Sequence, residues 1–266
     1  MKRTKTAFWA FGCLLALMAC GPRVERFKDA QGRVVREIRQ QKGHWLITTF
    51  YPDGRVRNTT DRHETGETVV FFDEEGNRIG EDVKKNGSPI LLTMTRWYPN
   101  GQKRSVSEYR DGQRFGTWRE WYPSGQVRSE MGYQADRYEG VRNEYSEQGV
   151  RVLEGYYHQG LEEGVWIYRD AQGSVATRIP FRGGKREGAE EQYYPGGGLK
   201  LRARYREGKA SGLWEEWFEN GKPSLKADYV QGEPDGVWQE WFPDGSPDFR
   251  LEYRKEALEW KPDPVP

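Results

Sequence analysis

Short segments in which apolar and polar residues alternate recur along most of the chain. In residues 127–133, Val127, Met131 and Tyr133 alternate with polar side chains, and the same arrangement recurs in residues 199–205. A period of two is typical of a β-strand that has one apolar face and one wet face. The pattern therefore predicts a series of strands, each with an apolar face that must be covered.

An aromatic segment and a turn precede each alternating segment. Trp118, Trp121 and Tyr122 lead into the Pro-Ser-Gly sequence of residues 123–125, and other copies read YPNG, YPGG, FPDG and FENG. Proline presets a φ of about −65° and glycine accepts a positive φ, so this chemistry suits a type I turn closed by a glycine bulge. Each unit is therefore predicted to be a β-hairpin.

The hairpin unit repeats with a period of 24 residues. The glycine that opens it lies at Gly116, Gly140, Gly164, Gly188, Gly212 and Gly236, and the closing aromatic lies at Tyr109, Tyr133, Tyr157, Phe181, Tyr205, Tyr229 and Tyr253. The glycine of the hairpin turn, Gly125 in the unit above, also recurs at Gly76, Gly54 and Gly32, which mark degenerate copies of the unit nearer the start of the chain. A second glycine-bearing turn passes the chain to the next hairpin, so neighbours should lie side by side. We predict an all-β fold, an elongated antiparallel β-meander of about ten 22–25-residue β-hairpin repeats.

Composition is compatible with a sheet that is one layer thick. Charged residues make up 31% of the chain and aromatic residues 14%, and there are 32 glycines. So high a charge content excludes a thick globular core, whereas the aromatic content is too high for a disordered chain. Aromatic side chains are therefore expected to seal the sheet.

The start of the chain differs from the repeats. Basic residues within positions 2–5 precede the apolar run 7–18, which is too short to span a bilayer and has the layout of a secretory signal. The run ends in Leu-Met-Ala-Cys, which resembles the lipobox of bacterial lipoproteins and implies cleavage before Cys20 and acylation of that cysteine. Gly21 stands where many inner-membrane lipoproteins carry aspartate, which favours the outer membrane of the bacterial cell envelope. The alternative is an ordinary signal peptide with an incidental cysteine.

The sequence predicts five parts. They are a lipoprotein signal peptide at 1–19, a tether with a worn first repeat at 20–35, degenerate repeats at 36–90, regular repeats at 91–254, and a C-terminal cap with a Pro-rich tail at 255–266. Leu258 and Trp260 are expected to cover the last strand edge. Cys13 would leave with the signal peptide and Cys20 would be acylated, so no disulfide is expected. Cleavage would leave 39 of the 42 basic residues against 41 acidic ones, a net charge of about −2 that gives no attraction for nucleic acid.

The consensus unit, G-x-W-x-E-W-Y-P-x-G-Q-x-R-x-E-x-x-Y, resembles the MORN-variant repeat, and the resemblance extends over most of the chain after Cys20. It implies an extended antiparallel β-sheet. Many bacterial members of that family carry an antitoxin label. Two copies depart from the consensus, since Ser146 and Asp170 replace the second aromatic residue.

Catalytic chemistry is not indicated. The histidines, His44, His63 and His158, are predicted to lie too far apart in a linear array to share a metal or a proton relay. The glycines have hairpin spacing rather than that of a phosphate-binding loop. A row of glutamates at Glu120, Glu144, Glu216 and Glu240 is predicted to pair with neighbouring Arg and Lys residues across strands, with a row of cation ligands as the alternative. We expect no enzyme activity, no cofactor and no metal.

The aromatic columns are the candidate binding surface. Strict alternation predicts that Trp121 joins the apolar face of the second strand and that Trp118 points to the other face. The candidate residues are Trp118, Tyr122, Trp166, Tyr194, Trp214, Phe218, Trp238 and Phe242. The favoured interpretation is that these rings pack across strands and hold the sheet together. The alternative is a ladder that binds a glycan, a peptide or a protein, because aromatic residues with arginine around them are typical of binding hot spots.

Together these features predict a non-catalytic, lipid-anchored envelope protein whose sheet is a scaffold for another envelope protein. The membrane would be reached through the acyl group on Cys20. Two alternatives stay open, a carbohydrate- or peptidoglycan-binding module and a toxin-neutralising partner.

Overall fold

The computed structural model describes residues 23–253, and this whole span folds as one antiparallel β-sheet. Between these residues there is no helix. Each strand pairs with its neighbour in sequence, with one exception. The strand at residues 175–182 pairs with two short segments in succession, residues 185–186 and residues 188–193. The predicted fold class, an elongated antiparallel meander of hairpins, is confirmed. The predicted signal peptide, Cys20 and the predicted cap lie outside the described residues.

The strands are short and regularly spaced. The first six are β1 (Arg23–Lys28), β2 (Val34–Gln41), β3 (His44–Phe50), β4 (Val56–His63), β5 (Gly66–Phe72) and β6 (Arg78–Lys85). The next eight are β7 (Leu91–Trp97), β8 (Lys103–Arg110), β9 (Gln113–Trp121), β10 (Val127–Gln134), β11 (Arg137–Tyr145), β12 (Arg151–His158), β13 (Leu161–Arg169) and β14 (Val175–Arg182). The last seven are β15 (Lys185–Arg186), β16 (Gly188–Tyr193), β17 (Leu199–Arg206), β18 (Lys209–Trp217), β19 (Pro223–Val230), β20 (Glu233–Trp241) and β21 (Pro247–Tyr253).

The turn inside each hairpin has the predicted geometry. In the turn between β9 and β10, the amide of Gly125 donates to the carbonyl of Tyr122 at 2.9 Å, and the amide of Tyr122 donates to the carbonyl of Gln126 at 2.8 Å. Gly125 has a φ of 88°, which is why glycine is required there. The ladder shifts register immediately afterwards, between Val127 and Ser129. The turn therefore ends in a bulge that adds one residue to the second strand.

Most turns between hairpins are two-residue loops, whereas the five residues 86–90 connect β6 to β7. Asp111 and Gly112, which connect β8 to β9, have φ values of 50° and 81°. Two consecutive positive φ angles define a type I′ turn, whose twist matches that of the flanking strands. Because the loop is so short, each hairpin lies directly beside the next one.

The glycine that opens the regular unit lies at a second β-bulge. Gly116 lies inside β9 with a φ of 71°, and the pairing with β8 jumps there from Val106–Arg119 to Glu108–Phe115. A side chain other than glycine is strained at this φ, which explains why the position recurs as glycine. The pairings of β10 with β11, β12 with β13, β17 with β18 and β19 with β20 contain the same register shift, whereas those of β2 with β3, β4 with β5 and β6 with β7 do not.

The sheet has a very small core. The apolar side chains that are at least about nine-tenths buried are Ile47, Leu153, Trp166, Leu201, Ala203 and Ala227. No helix or second sheet covers either face between residues 23 and 253. Side chains within the sheet must therefore cover one another, and the aromatic rings supply most of that cover.

Candidate functional site

Aromatic rings of neighbouring strands touch in a line across one face of the sheet, which we call the ladder face. The first run is Tyr109, Trp118, Tyr133, Tyr138, Tyr157, Trp166 and Phe181, with ring centroids 4.8–6.0 Å apart. The second run is Tyr205, Trp214, Tyr229, Trp238 and Tyr253, at 5.5–6.3 Å. Aromatic pairs in this range contribute about 0.5–1.5 kcal/mol beyond the area they bury. Burial in the ladder also raises the pKa of the Tyr157 and Tyr229 hydroxyls.

The predicted face of the tryptophan column is wrong. Trp118 lies directly opposite Met131 and its ring packs on Tyr133, so it shares a face with the closing aromatics. Without the bulge after the turn, Trp118 would oppose Glu130. The extra residue in β10 moves the pairing by one position, and a slip of one residue exchanges the faces of a strand.

Small residues lie beneath the tryptophan rings. Ala203 and Ala227 are both 0% exposed and both lie opposite Trp214. A Cβ atom on Gly155 would come within 2.5 Å of the Trp166 indole. Trp166 is accordingly only 5% exposed, so little of its ring is open to a ligand.

Two charged residues occupy tryptophan positions of the repeat. Arg142 forms an ion pair with Glu144, and the ring of Tyr138 carries the ladder past this point. Glu190 is 4% exposed and lies 3.0 Å from a guanidinium nitrogen of Arg186. That guanidinium also stacks over the ring of Tyr205 at 5.0 Å. Arg186 also lies opposite Phe181 of β14, so its partly exposed side chain stands between the two aromatic runs.

The row of glutamates behaves in two ways. Glu120 lies 3.9 Å from Arg128 of the neighbouring strand, as the prediction of ion pairs across strands requires, whereas Glu144 pairs with Arg142 of its own strand. Glu216 and Glu240 instead accept hydrogen bonds from the neighbouring indole N–H groups, Trp214 at 2.8 Å and Trp238 at 2.7 Å. These two carboxylates fix the orientation of the tryptophans.

The aromatic residues of the turns tie one repeat to the next. The hydroxyls of Tyr98, Tyr122 and Tyr194 donate to the carbonyls of Trp121, Tyr145 and Trp217 at 2.8–2.9 Å. Each bond joins equivalent positions of two successive hairpins. Phe218 and Phe242 occupy the same position without a hydroxyl, and Phe242 is 47% exposed.

The eight predicted binding residues therefore belong to two different sets. The tryptophans lie within the ladder, and the turn residues lie at the edge of the hairpins. Beside Trp118 there is a hollow of about 290 Å³, lined among others by Ser107, Met131 and Arg142. Small serine side chains leave this space open on the ladder face.

The opposite face, which we call the charged face, carries ion pairs between strands. Arg119 donates to Glu130 at 2.8 Å, and this bond holds the pKa of the Glu130 carboxyl below its ordinary value although partial burial opposes the shift. Around Glu191, hydrogen bonds from the hydroxyl of Tyr193 at 2.6 Å and from Arg202 lower the pKa in the same way. These carboxylates are ionised near neutral pH and cross-link adjacent strands.

An exposed apolar cluster interrupts the charged face. It consists of Val141, Tyr156 and Val165, which are 44%, 44% and 53% exposed, and we call it the apolar patch. Val141 lies directly opposite Tyr156 on the neighbouring strand. The equivalent residues of neighbouring repeats are Gly132, Pro180, Arg204 and Asp228, none of which is aromatic. Sequence reasoning missed the patch, although the tyrosine at this otherwise non-aromatic position was visible.

The prediction that the histidines are isolated is wrong for two of them. The rings of His44 and His63 lie 5.6 Å apart, because the pairing of Trp45 with Arg62 brings their strands together. Hairpin pairing, rather than distance along the chain, decides which residues meet. Between residues 23 and 253, no group of three or more His, Cys, Asp or Glu side chains is arranged to hold a metal ion.

Comparison with protein families gives one match. The family described as the MORN repeat variant matches residues 116–135 and 210–231. The chain contains MORN-variant repeats. The two matched MORN-variant segments include most of β9 with β10 and most of β18 with β19, so each corresponds to one hairpin. No curated protein matches the chain.

Two solved structures show a distant likeness to this chain. The crystal structure of TcdB2-TccC3-TEV matches 86% of this chain and 14% of its own, with 13% identity and a TM-score of 0.21. That of TcdB2-TccC3 matches 85% of this chain and 15% of its own, with 10% identity and a TM-score of 0.19. The chain thus spans about one-seventh of the length of these structures, and such TM-scores carry no argument about function. Within residues 23–253 there is no helix long and apolar enough to cross a membrane.

Proposed function

We propose that this protein is a non-catalytic scaffold whose sheet binds another protein. The observation that supports this proposal is the apolar patch of Val141, Tyr156 and Val165, whose side chains are exposed on the face that carries the ion pairs between strands. These side chains lie on the face opposite the ladder and do not pack against its rings. A role in stabilising the ladder therefore does not explain why they are apolar. Exposed apolar clusters with a polar rim are typical of protein interfaces.

The chemistry of the patch favours a protein over a sugar. Valine presents no flat ring on which a sugar can stack, whereas tyrosine surrounded by aliphatic residues is a common interface anchor. Glu163 lies opposite Tyr156 on the next strand and forms part of a charged rim. The complementary surface would be apolar at its centre and basic at that edge.

Binding can be tested in two steps. Affinity capture of the full chain from its own envelope identifies candidate partners, and calorimetry with each purified candidate then measures affinity. The double variant Val141→Lys with Val165→Lys should weaken binding at least tenfold. Ala189 is exposed and has the same position in its repeat, so Ala189→Lys is the matched control and should bind normally. Equal affinity of both variants would contradict the proposed surface.

We propose further that the scaffold is held at the outer membrane by acylation of Cys20. The support is the sequence that ends at this cysteine, Leu-Met-Ala-Cys after an apolar run. The Cys20→Ser variant should move from the membrane fraction to the soluble periplasmic fraction. Continued fractionation with the membrane would contradict the anchor.

A carbohydrate ligand is the second candidate, and the hollow beside Trp118 favours it. Its volume of about 290 Å³ suits a single sugar ring, and Glu120 and Arg142 are among the residues that line it. Trp118→Ala should then abolish retention on peptidoglycan or polysaccharide, while Val141→Lys should not.

If a captured partner is a toxin, the scaffold would act as its neutralising partner. Calorimetry on that pair then distinguishes this function from binding of a carbohydrate.

A further inference from the structure

His44 and His63 form a pair across adjacent strands. Trp45 of β3 pairs with Arg62 of β4, so the residues before and after them, His44 and His63, face one another at the end of the hairpin. Their ring centroids are 5.6 Å apart, and the planes are inclined by 38°. Asp61, two residues before His63, is on the same side of the strand. The His44 and Asp61 side chains are 53% and 46% exposed, so the site is open to solvent.

One nitrogen of each ring is engaged by the protein. Nδ1 of His44 lies 3.1 Å from a carboxylate oxygen of Asp61, and Nδ1 of His63 lies 2.9 Å from the hydroxyl of Thr65. The Nε2 atoms are then the remaining ligand positions. A histidine whose second nitrogen is held by a carboxylate is the arrangement that orients metal ligands in proteins, because the carboxylate fixes the tautomer and the ring.

The separation of the rings fits a shared ion. With metal–nitrogen bonds of about 2.0–2.1 Å in a tetrahedral arrangement, two imidazole centroids lie roughly 5 Å apart. The observed 5.6 Å exceeds this by a few tenths of an ångström, which small rotations of two half-exposed side chains can close.

We propose that His44 and His63 together bind one divalent transition-metal ion through their Nε2 atoms, with Asp61 orienting His44. Imidazole ligands suit Zn²⁺, Ni²⁺ and Cu²⁺ rather than Mg²⁺ or Ca²⁺. Water fills the other coordination positions, because the protein supplies two ligands. The ion cross-links β3 and β4, and binding to the folded state alone stabilises this hairpin.

The remaining histidine is a matched control. Nδ1 of His158 also lies 3.1 Å from a carboxylate oxygen, that of Glu139, and its side chain is 60% exposed. It therefore has the same second-nitrogen contact as His44 but belongs to no histidine pair. If a single exposed imidazole were enough for binding, His158 would bind as well as the pair.

The test is calorimetric titration of the full chain, purified in detergent without a polyhistidine tag, with ZnCl₂ and NiCl₂. We expect one ion per chain, at least tenfold weaker binding in His44→Gln and in His63→Gln, and unchanged binding in His158→Gln. Asp61→Asn should weaken binding by about tenfold. Circular dichroism of each variant shows whether it is folded.

A second readout locates the ion if a glutamine variant fails to fold. In the unaltered chain, substoichiometric Cu²⁺ should broaden the imidazole proton resonances of His44 and His63 and spare those of His158. Equal broadening of all three histidines, no heat of binding, or equal losses in His63→Gln and His158→Gln would each overturn the proposal. Competition by Mg²⁺ at equal concentration would also overturn it.

Discussion

The hydroxyl of Tyr122 should make a measurable contribution to the free energy with which two neighbouring repeats stabilise each other. It donates at 2.9 Å to the carbonyl of Tyr145, the equivalent first-strand position of the next hairpin, from a partly buried site. A neutral hydrogen bond contributes a net 0.5–1.5 kcal/mol or so to stability. Tyr122→Phe removes the bond and keeps the ring, so we expect a loss of about 1 kcal/mol.

The chain supplies the reverse substitution. Phe218 occupies the position of Tyr122 four repeats later, and the carbonyl that its hydroxyl would meet belongs to Trp241, by analogy with the bond from Tyr194 to Trp217. Phe218→Tyr should therefore add a hydrogen bond and stabilise the array by a similar amount. The two variants are expected to have opposite signs.

Native-state hydrogen exchange is the suitable assay, because a repeat array unfolds in parts and a single midpoint does not describe it. Amides of β9 to β12 should exchange about fivefold faster in Tyr122→Phe, and those of β18 to β21 about fivefold slower in Phe218→Tyr, since 1.4 kcal/mol corresponds to a factor of ten. Effects of the same sign, or none in either variant, would refute the assignment of these tyrosines as links between repeats.

Three further changes test the packing and the charges. Ala227→Leu places a larger side chain beneath Trp214 and should cost about 1–3 kcal/mol in chemical denaturation. Gly155→Ala brings a methyl group against the Trp166 indole and should lower stability while altering tryptophan fluorescence. Glu130 has a lowered pKa in the folded state because of its bond from Arg119, so the stability it gives is present above the ordinary glutamate pKa of about 4.3 and is lost as pH falls through the lower folded value. A Glu130→Gln chain should show a shallower loss of stability in that acid range, measured by denaturation at each pH.

The hairpins were predictable because their information is local. The sequence from Tyr122 to Gly125 contains both the proline and the glycine that the turn needs, and the same signal recurs at every period. The closing tyrosines give the register of the meander without reference to distant residues. A fold with such short-range pairing can be inferred from pattern alone.

The faces of the strands were not predictable in the same way. Alternation along β9 correctly separates Trp118 from Trp121, but it does not say which of them meets the closing tyrosine Tyr133. That depends on one bulged residue after Gly125, which the turn sequence implied and the counting of alternate positions ignored. A single inserted residue outweighs the periodicity of the whole strand.

Residues that depart from the consensus were harder still to interpret. Repetition predicts rows of like residues, so His44 and His63 were considered far apart, although hairpin pairing makes them neighbours. Tyr156 likewise belongs to a position where the adjacent repeats carry Gly132 and Pro180, and its significance depends on Val141 on the neighbouring strand. Such sites arise from pairs of unlike residues, which only the strand register reveals.

The central claim, that the apolar patch is a protein-binding surface, can be tested most directly by photo-crosslinking in living cells. A photoreactive amino acid would replace Tyr156 in the full chain, with the same residue at position 189 for comparison. We expect one discrete protein adduct from position 156, none from position 189, and loss of the adduct when Val141→Lys is added. Identical adducts from both positions, or no protein adduct from position 156, would contradict it.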